Sequence, residues 1–193
     1  PIDTLESEWR VLEKDWRGQN KDDTIRAHTA VMQKVYALFP FVGDHSGLLL
    51  DPDPATYHVV ELAVVRAPSV VANVLEARAI AVLVADKPNL PQELRDEVVR
   101  AVSNVQTEVH RLKAAAESIE RVNPELGKDT REDATALDAA TDAFEAVAME
   151  AANHGAEKDT VRAAAGAAVD KAYELFDMAA PYLQKRFDER SFT

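Results

Sequence analysis

Apolar residues recur every three or four positions along nearly the whole chain, most cleanly at Leu94, Val98, Val102, Val105, Val109, Leu112, Ala116 and Ile119. That spacing lines one face of an α-helix and would scatter over both faces of a strand. No alternating stretch and no Asn-Gly pair argues for a sheet. With only six glycines and a bias to Ala, Glu, Val and Leu, backbone and rotamer costs also favour helix. The expected fold is all-α: an up-and-down antiparallel bundle of the four-helix type, with long, kinked first and last helices.

The segments follow from the same period. Ile2, Leu5, Trp9, Leu12 and Trp16 form one seam, interrupted at "RGQNKDDT" (17–24). The pattern resumes at Ile25, His28, Met32, Val35, Phe39 and Val42, which predicts one long helix, bent or broken near Gly18 and ending by about Gly47. A second helix is expected from Pro54 to about Ala85, kinked at Pro68, with "DKPNLP" (86–91) as the turn after it. The third ends in "NPELGKDT" (123–130), read as an exit loop. The fourth falters at "NHGAEKDT" (153–160), and the last runs from Val161 to Phe187 with a kink at Pro181. At ~1.5 Å per residue, the breaks near Gly18 and Gly155 should fall at one height. The terminal helices are then expected to leave the bundle together, at the end opposite the 47–53 loop. Residues 1–193 read as one domain, with its core at about 21–155 and outlying helical parts at about 1–20 and 156–193.

Charge narrows the function. The net charge of −12, from 34 acidic and 22 basic residues, repels phosphate backbones, and no basic run offsets it, so no nucleic-acid partner is expected. Absent cysteine excludes thiolate nucleophiles and cysteine metal sites. No uninterrupted apolar run approaches the ~18 residues of a spanning helix. The five histidines show no pair three or four residues apart; Glu150 and His154 stand alone at i, i+4, so neither metal nor cofactor is expected. No Gly-x-Ser-x-Gly or phosphate loop is present, and no catalytic residue is assigned.

The stretch "VGDHSGLLLDPDPATYHVVELAVVRAP" (42–68) is the most distinctive. Asp53 suits a helix N-cap and Pro54 the first helical position. Asp51, Pro52, Asp53, Pro54 and Pro68 are read as a rigid loop, a capped start and a kink. A cation contact by the two aspartates is the alternative, though the further oxygen ligands of a calcium loop are missing. At Val42, Gly43, Asp44, Ser46, Leu48, Leu50, Asp51, Pro52, Asp53, Tyr57, Arg66 and Pro68, the chain resembles the extracytoplasmic helical-bundle sensor regions of bacterial transmembrane histidine kinases and methyl-accepting chemoreceptors. "EARAIA" (76–81) is similar to an element that follows in that family. Thr56, His58, Glu61 and Ala67 depart from its usual serine, tyrosine, aspartate and leucine. The likeness covers about forty residues.

The resemblance implies a periplasmic, extracytoplasmic domain of an inner-membrane protein, held between two membrane-spanning helices, with the 47–53 loop at the membrane-distal tip. The start at Pro1 without methionine fits a fragment of a longer chain. The ligand candidates are Arg78, which interrupts the stripe Val71, Leu75, Val82; His28, between Ile25 and Met32; and Tyr57, His58 and Arg66 in the motif. A buried arginine needs a partner, so an organic or aromatic acid is the expected small-molecule ligand, with an internal salt bridge or a solvent-reaching side chain as the alternative. The long seams lead to the expectation of a homodimer. The function expected is signal input to a two-component histidine kinase. A chemotaxis receptor domain and a non-sensory helical scaffold are the alternatives, and the fragment itself is expected to carry no enzyme activity.

Overall fold

The structure is a computed structural model that describes residues 2–87 and 89–191; Pro1, Pro88 (within the 86–91 turn), Phe192 and Thr193 lie outside the described residues. The described residues are helical and contain no strand. The elements are α1 (Ile2–Asp15), α2 (Lys21–His45), α3 (Pro54–Val60), α4 (Ala67–Val84), α5 (Gln92–Val122), α6 (Pro124–Asn153) and α7 (Lys158–Ser191).

The core is the periodic stripe made real. Val98, Val102, Val105, Val109, Leu112 and Ile119 of α5 are buried against α4 and α6, and Leu137, Phe144 and Ala148 of α6 join them. Each fully buried Leu or Phe contributes about 1.5–3 kcal/mol relative to exposure. Alanine at 165, 168, 172 and 179 brings α7 close to α4 and α6, with Val161 and Leu175 filling the remaining space. The core therefore does not stop near residue 155. It continues through α7 to Ala179, because that helix's stripe is as regular as that of α5.

The breaks at Gly18 and Gly155 are reversals rather than bends. After a tight 3-10 turn at Trp16–Gly18, Gln19 and Asn20 take extended backbone (φ −88°, ψ 155° and φ −68°, ψ 162°), and Asn20 caps α2 by accepting from the Asp23 amide. Two extended residues in succession turn the chain back on itself. Glu8 accordingly pairs with Lys34 at 2.6 Å, and the Trp9 ring meets His28 edge-on at 6.1 Å. Thr4 and Leu5 share a cleft with Leu38 and Phe41. α1 lies antiparallel on α2 and does not prolong it. At the other break, Gly155 adopts φ 89°, and the Ala156 amide donates to Ala85 O at 3.1 Å. Lys158 pairs with Asp86, and α7 returns along α4. The two breaks share one end, since Trp16 and Arg162 line one cavity. The loop 47–53 does not stand opposite the terminal helices: the start of α1 lies beside Phe41, and Arg186 of α7 pairs with Asp53.

The expected loop at 123–130 is helix. Asn123 alone connects α5 to α6, its side chain accepting from the Leu126 amide at 3.3 Å, with Pro124 in the first helical position. α2 continues through Pro40 and α7 through Pro181. At Pro68 the expected kink takes the form of a π turn at Glu61–Arg66, in which the Ala67 amide reaches back five residues to Leu62 O. The extra residue in the turn relieves the proline ring's clash with the preceding turn. Ser69 Oγ donates to Val65 O at 2.7 Å, supplying a donor one residue beyond the proline.

One further correction concerns hydropathy. The continuous run Pro54–Val84 is, by length and composition, apolar enough to cross a membrane, and half of its most apolar window is buried inside the fold. Scattered Arg and Glu residues conceal this when only uninterrupted apolar runs are counted.

Candidate functional site

The five ligand candidates from the sequence stand in three separate places. His28 is occupied within the α1–α2 hairpin: its Nδ1–H donates to Thr24 O at 2.8 Å, and its ring abuts Trp9. It is not among the residues that line the cavity beside Arg78.

Tyr57 and His58 precede the π turn and Arg66 is its last residue, and Glu61 draws two of them together. Arg66 donates to Glu61 Oε1 from Nε at 3.1 Å and Nη2 at 2.6 Å, while His58 Nδ1 stands 3.7 Å from Oε2. His58 Nδ1 is buried and makes no hydrogen bond among the described residues. The Tyr57 and His58 rings meet at 5.2 Å. Glu61 and Arg66 are five residues apart, which places them on different faces of an α-helix but over one another on a π turn. Arg66 therefore has its guanidinium committed to a protein carboxylate. The sequence reading missed Glu61 as the partner because it assumed one helical period throughout.

The Asp-Pro-Asp-Pro loop is held by hydrogen bonds of its own aspartates. Gly47 turns the chain with φ 73°, Asp51 Oδ1 accepts from the Asp53 amide at 2.9 Å, and Asp53 Oδ1 accepts from the Ala55 amide at 3.0 Å, capping α3. Thr56 Oγ1 and Arg186 Nη2 both donate to Asp53 Oδ2.

Arg78 lies elsewhere, in an open cavity of about 630 Å³ between the α1–α2 turn, α4 and the start of α7. Three arginines line it: Arg17, Arg78 and Arg162, with Trp16, Gln19 and Thr24 beside them and Ile25, Ala79 and Val82 as apolar wall. Among the described residues, no carboxylate lines it. Arg17 is placed over the Trp16 ring, its guanidinium carbon 5.4 Å from the centroid, and Arg162 Nη1 contacts Asp159 at 2.6 Å. Arg78 is half-buried and makes no ion pair or hydrogen bond among the described residues. A guanidinium offers five donors in a planar fork, matched to carboxylate geometry. The cavity can therefore take an anion, with Arg78 as the uncommitted donor. The sequence pointed to Arg78 through its place in an apolar stripe. Arg17 and Arg162 carried no such signal, because they arrive through the two chain reversals.

Among the described residues, no group of three His, Asp or Glu side chains is placed to share a metal ion. Searches against protein-family models, curated proteins and solved structures find no match to this chain.

Proposed function

We propose that this chain is the ligand-sensing, signal-input domain of a membrane-anchored two-component histidine kinase, held in the periplasm between two spanning helices. On this reading α3–α4, α5, α6 and α7 form an up-and-down four-helix bundle, with the α1–α2 hairpin laid along α2's contact with α4. Support comes from the pairing of α4 with α5, α5 with α6, α6 with α7 and α7 with α4. The start of α1 and the end of α7 also come to the same end of the body. That arrangement suits two spans entering a bilayer together, and the motif at 42–68 adds the family resemblance, with its 47–53 loop then on the membrane-facing side and not at the distal tip that the resemblance implies.

The observation that carries the reading is the three-arginine cavity. In a protein of net charge −12, Arg17, Arg78 and Arg162 face one space without a lining carboxylate. An organic or aromatic acid seated there would bridge the α1–α2 turn, α4 and α7, and so bias how those elements pack. Exposed apolar residues on the hairpin, Trp9, Val11 and Val42, favour a homodimer as the signalling unit.

The test is a thermal-shift screen of organic and aromatic acids. A hit should stabilise the wild-type chain in a salt-sensitive way. Arg78→Ala should abolish the shift with the helical spectrum intact, and an unchanged shift would refute the role of Arg78. Absence of spanning segments on either side of this region in the full-length protein would sink the sensor reading as a whole.

A further inference from the structure

A second, smaller cleft lies along the same helices but away from the arginines. It has a volume of about 180 Å³ and is walled by Tyr36 and Phe39 of α2 and Tyr173 and Phe176 of α7, with Ala67 and Pro68 at the start of α4 beneath them. Among the described residues, no charged side chain lines it. Its rings remain partly in water: Phe39 is 38 % exposed, Phe176 41 % and Tyr173 54 %. Four aromatic side chains around one slot keep costly surface open that a closer approach of α2 and α7 would bury. Ala67 is the first residue after the π turn and presents only a methyl group to the slot, which is why the space is not filled from below.

Size and chemistry limit the occupant. An apolar cavity of about 150 Å³ is known to take up benzene, so this slot is one ring wide. A carboxylate would shed its water there with no cation in the lining, and that is strongly unfavourable. A cation would meet the field of Arg78, which reaches Tyr36. Burial, and then the neighbouring Tyr173, push the Tyr36 phenol above the ordinary tyrosine range, so that phenol stays protonated and available as a donor near neutral pH. From the cleft's volume, its four rings and its uncharged lining we infer that it binds a neutral monocyclic aromatic molecule, whose polar substituent meets the Tyr36 and Tyr173 hydroxyls. This site is distinct from the arginine cavity and does not depend on the sensor reading.

Phenol is the probe, applied to the whole chain and followed by saturation-transfer NMR and thermal shift. Saturable binding is expected. Phe176→Ala removes an exposed wall and should weaken it by about tenfold, the worth of one good aromatic contact. Ala67→Leu fills the slot and should abolish binding; Phe176→Ala keeps the test decisive if the larger side chain disturbs the core. Arg78→Ala should leave phenol binding unchanged while removing any organic-acid response, so the two sites fail or succeed separately. Phenol binding that does not saturate, or that is equal in wild type and Phe176→Ala, would overturn the inference. So would a dimer that dissociates in Phe176→Ala without any phenol effect, because the aromatic wall would then be a subunit contact.

Discussion

Arg186 donates from Nη2 to Oδ2 of Asp53, joining residues 133 positions apart in the chain. The same carboxylate caps α3 through Oδ1. One side chain thus fixes both the start of the motif helix and the last turns of α7. The Asp53 carboxyl is held below the usual carboxylate range, first by the Arg186 hydrogen bond and further by the Ala55 amide and Thr56 hydroxyl, with partial burial acting the other way.

That shift sets a pH dependence. A carboxylate with a lowered folded pKa contributes stability that is present above its unfolded value and lost as pH falls through the folded one. Asp53→Asn and Arg186→Gln should each lower Tm at pH 7, and the gap to wild type should close below about pH 4. Amide exchange at residues 183–191 should quicken in both. A gap that stays constant with pH would show that the pair contributes nothing through charge.

At Gly127, α6 packs tightly against the backbone of α5. A Cβ there would stand 2.1 Å from Glu120 Cα and 2.6 Å from its backbone nitrogen. Backbone cannot yield as a flexible side chain can, so Gly127→Ala should destabilise the fold by about 3 kcal/mol in urea denaturation. A near-wild-type midpoint would mean that the two helices separate readily.

The π turn gives a third expectation. Ser69 Oγ serves the Val65 carbonyl beside a residue that has no amide hydrogen. Ser69→Ala should cost about 1 kcal/mol and speed amide exchange within 61–69 more than elsewhere. Uniform changes across all helices would assign the loss to general packing instead.

Asp133 runs opposite to Asp53. Burial, then repulsion from Glu174 and Asp129, push its carboxyl above the ordinary range despite the nearby Lys171. The charged form is therefore disfavoured in the folded state, and the penalty grows as pH rises through the unfolded and then the folded value. The group is only partly buried, so the effect is small. Asp133→Asn should raise Tm at pH 7 by about 1 °C, and the gain should vanish below about pH 4.

What the sequence could show depended on whether a feature was local. The α5 stripe from Leu94 to Ile119, the Asp53 cap and Pro54 at the helix start follow from spacing and residue chemistry alone, and the structure has them where the sequence places them. Gly18 and Gly155 announced breaks, but a break does not reveal whether the chain bends or reverses. The extended backbone at Gln19 and Asn20 decided that. Asn123 hid a connection, because Pro124 can start a helix as readily as it can end one. At the candidate sites, Arg78 was legible as a charge in an apolar stripe. Glu61 was not, since its contact with Arg66 needs a turn one residue wider than the assumed period. Arg17 and Arg162 meet Arg78 only through tertiary folding, and no pattern in one chain encodes that.

The one-residue link at Asn123 bears on the order in which the molecule assembles. α5 and α6 face each other across almost no intervening chain, and Glu120 pairs with Arg131 at 2.9 Å directly beside the turn. Closing that hairpin sacrifices little loop entropy, whereas bringing Arg186 to Asp53 closes most of the chain. The hairpin should therefore stand in the folding transition state and the Asp53–Arg186 tie should form after it. In stopped-flow chevrons, Gly127→Ala should slow the refolding arm, while Asp53→Asn should leave refolding alone and hasten unfolding. The residues that carry the sequence motif would then be the last to lock and the first to let go.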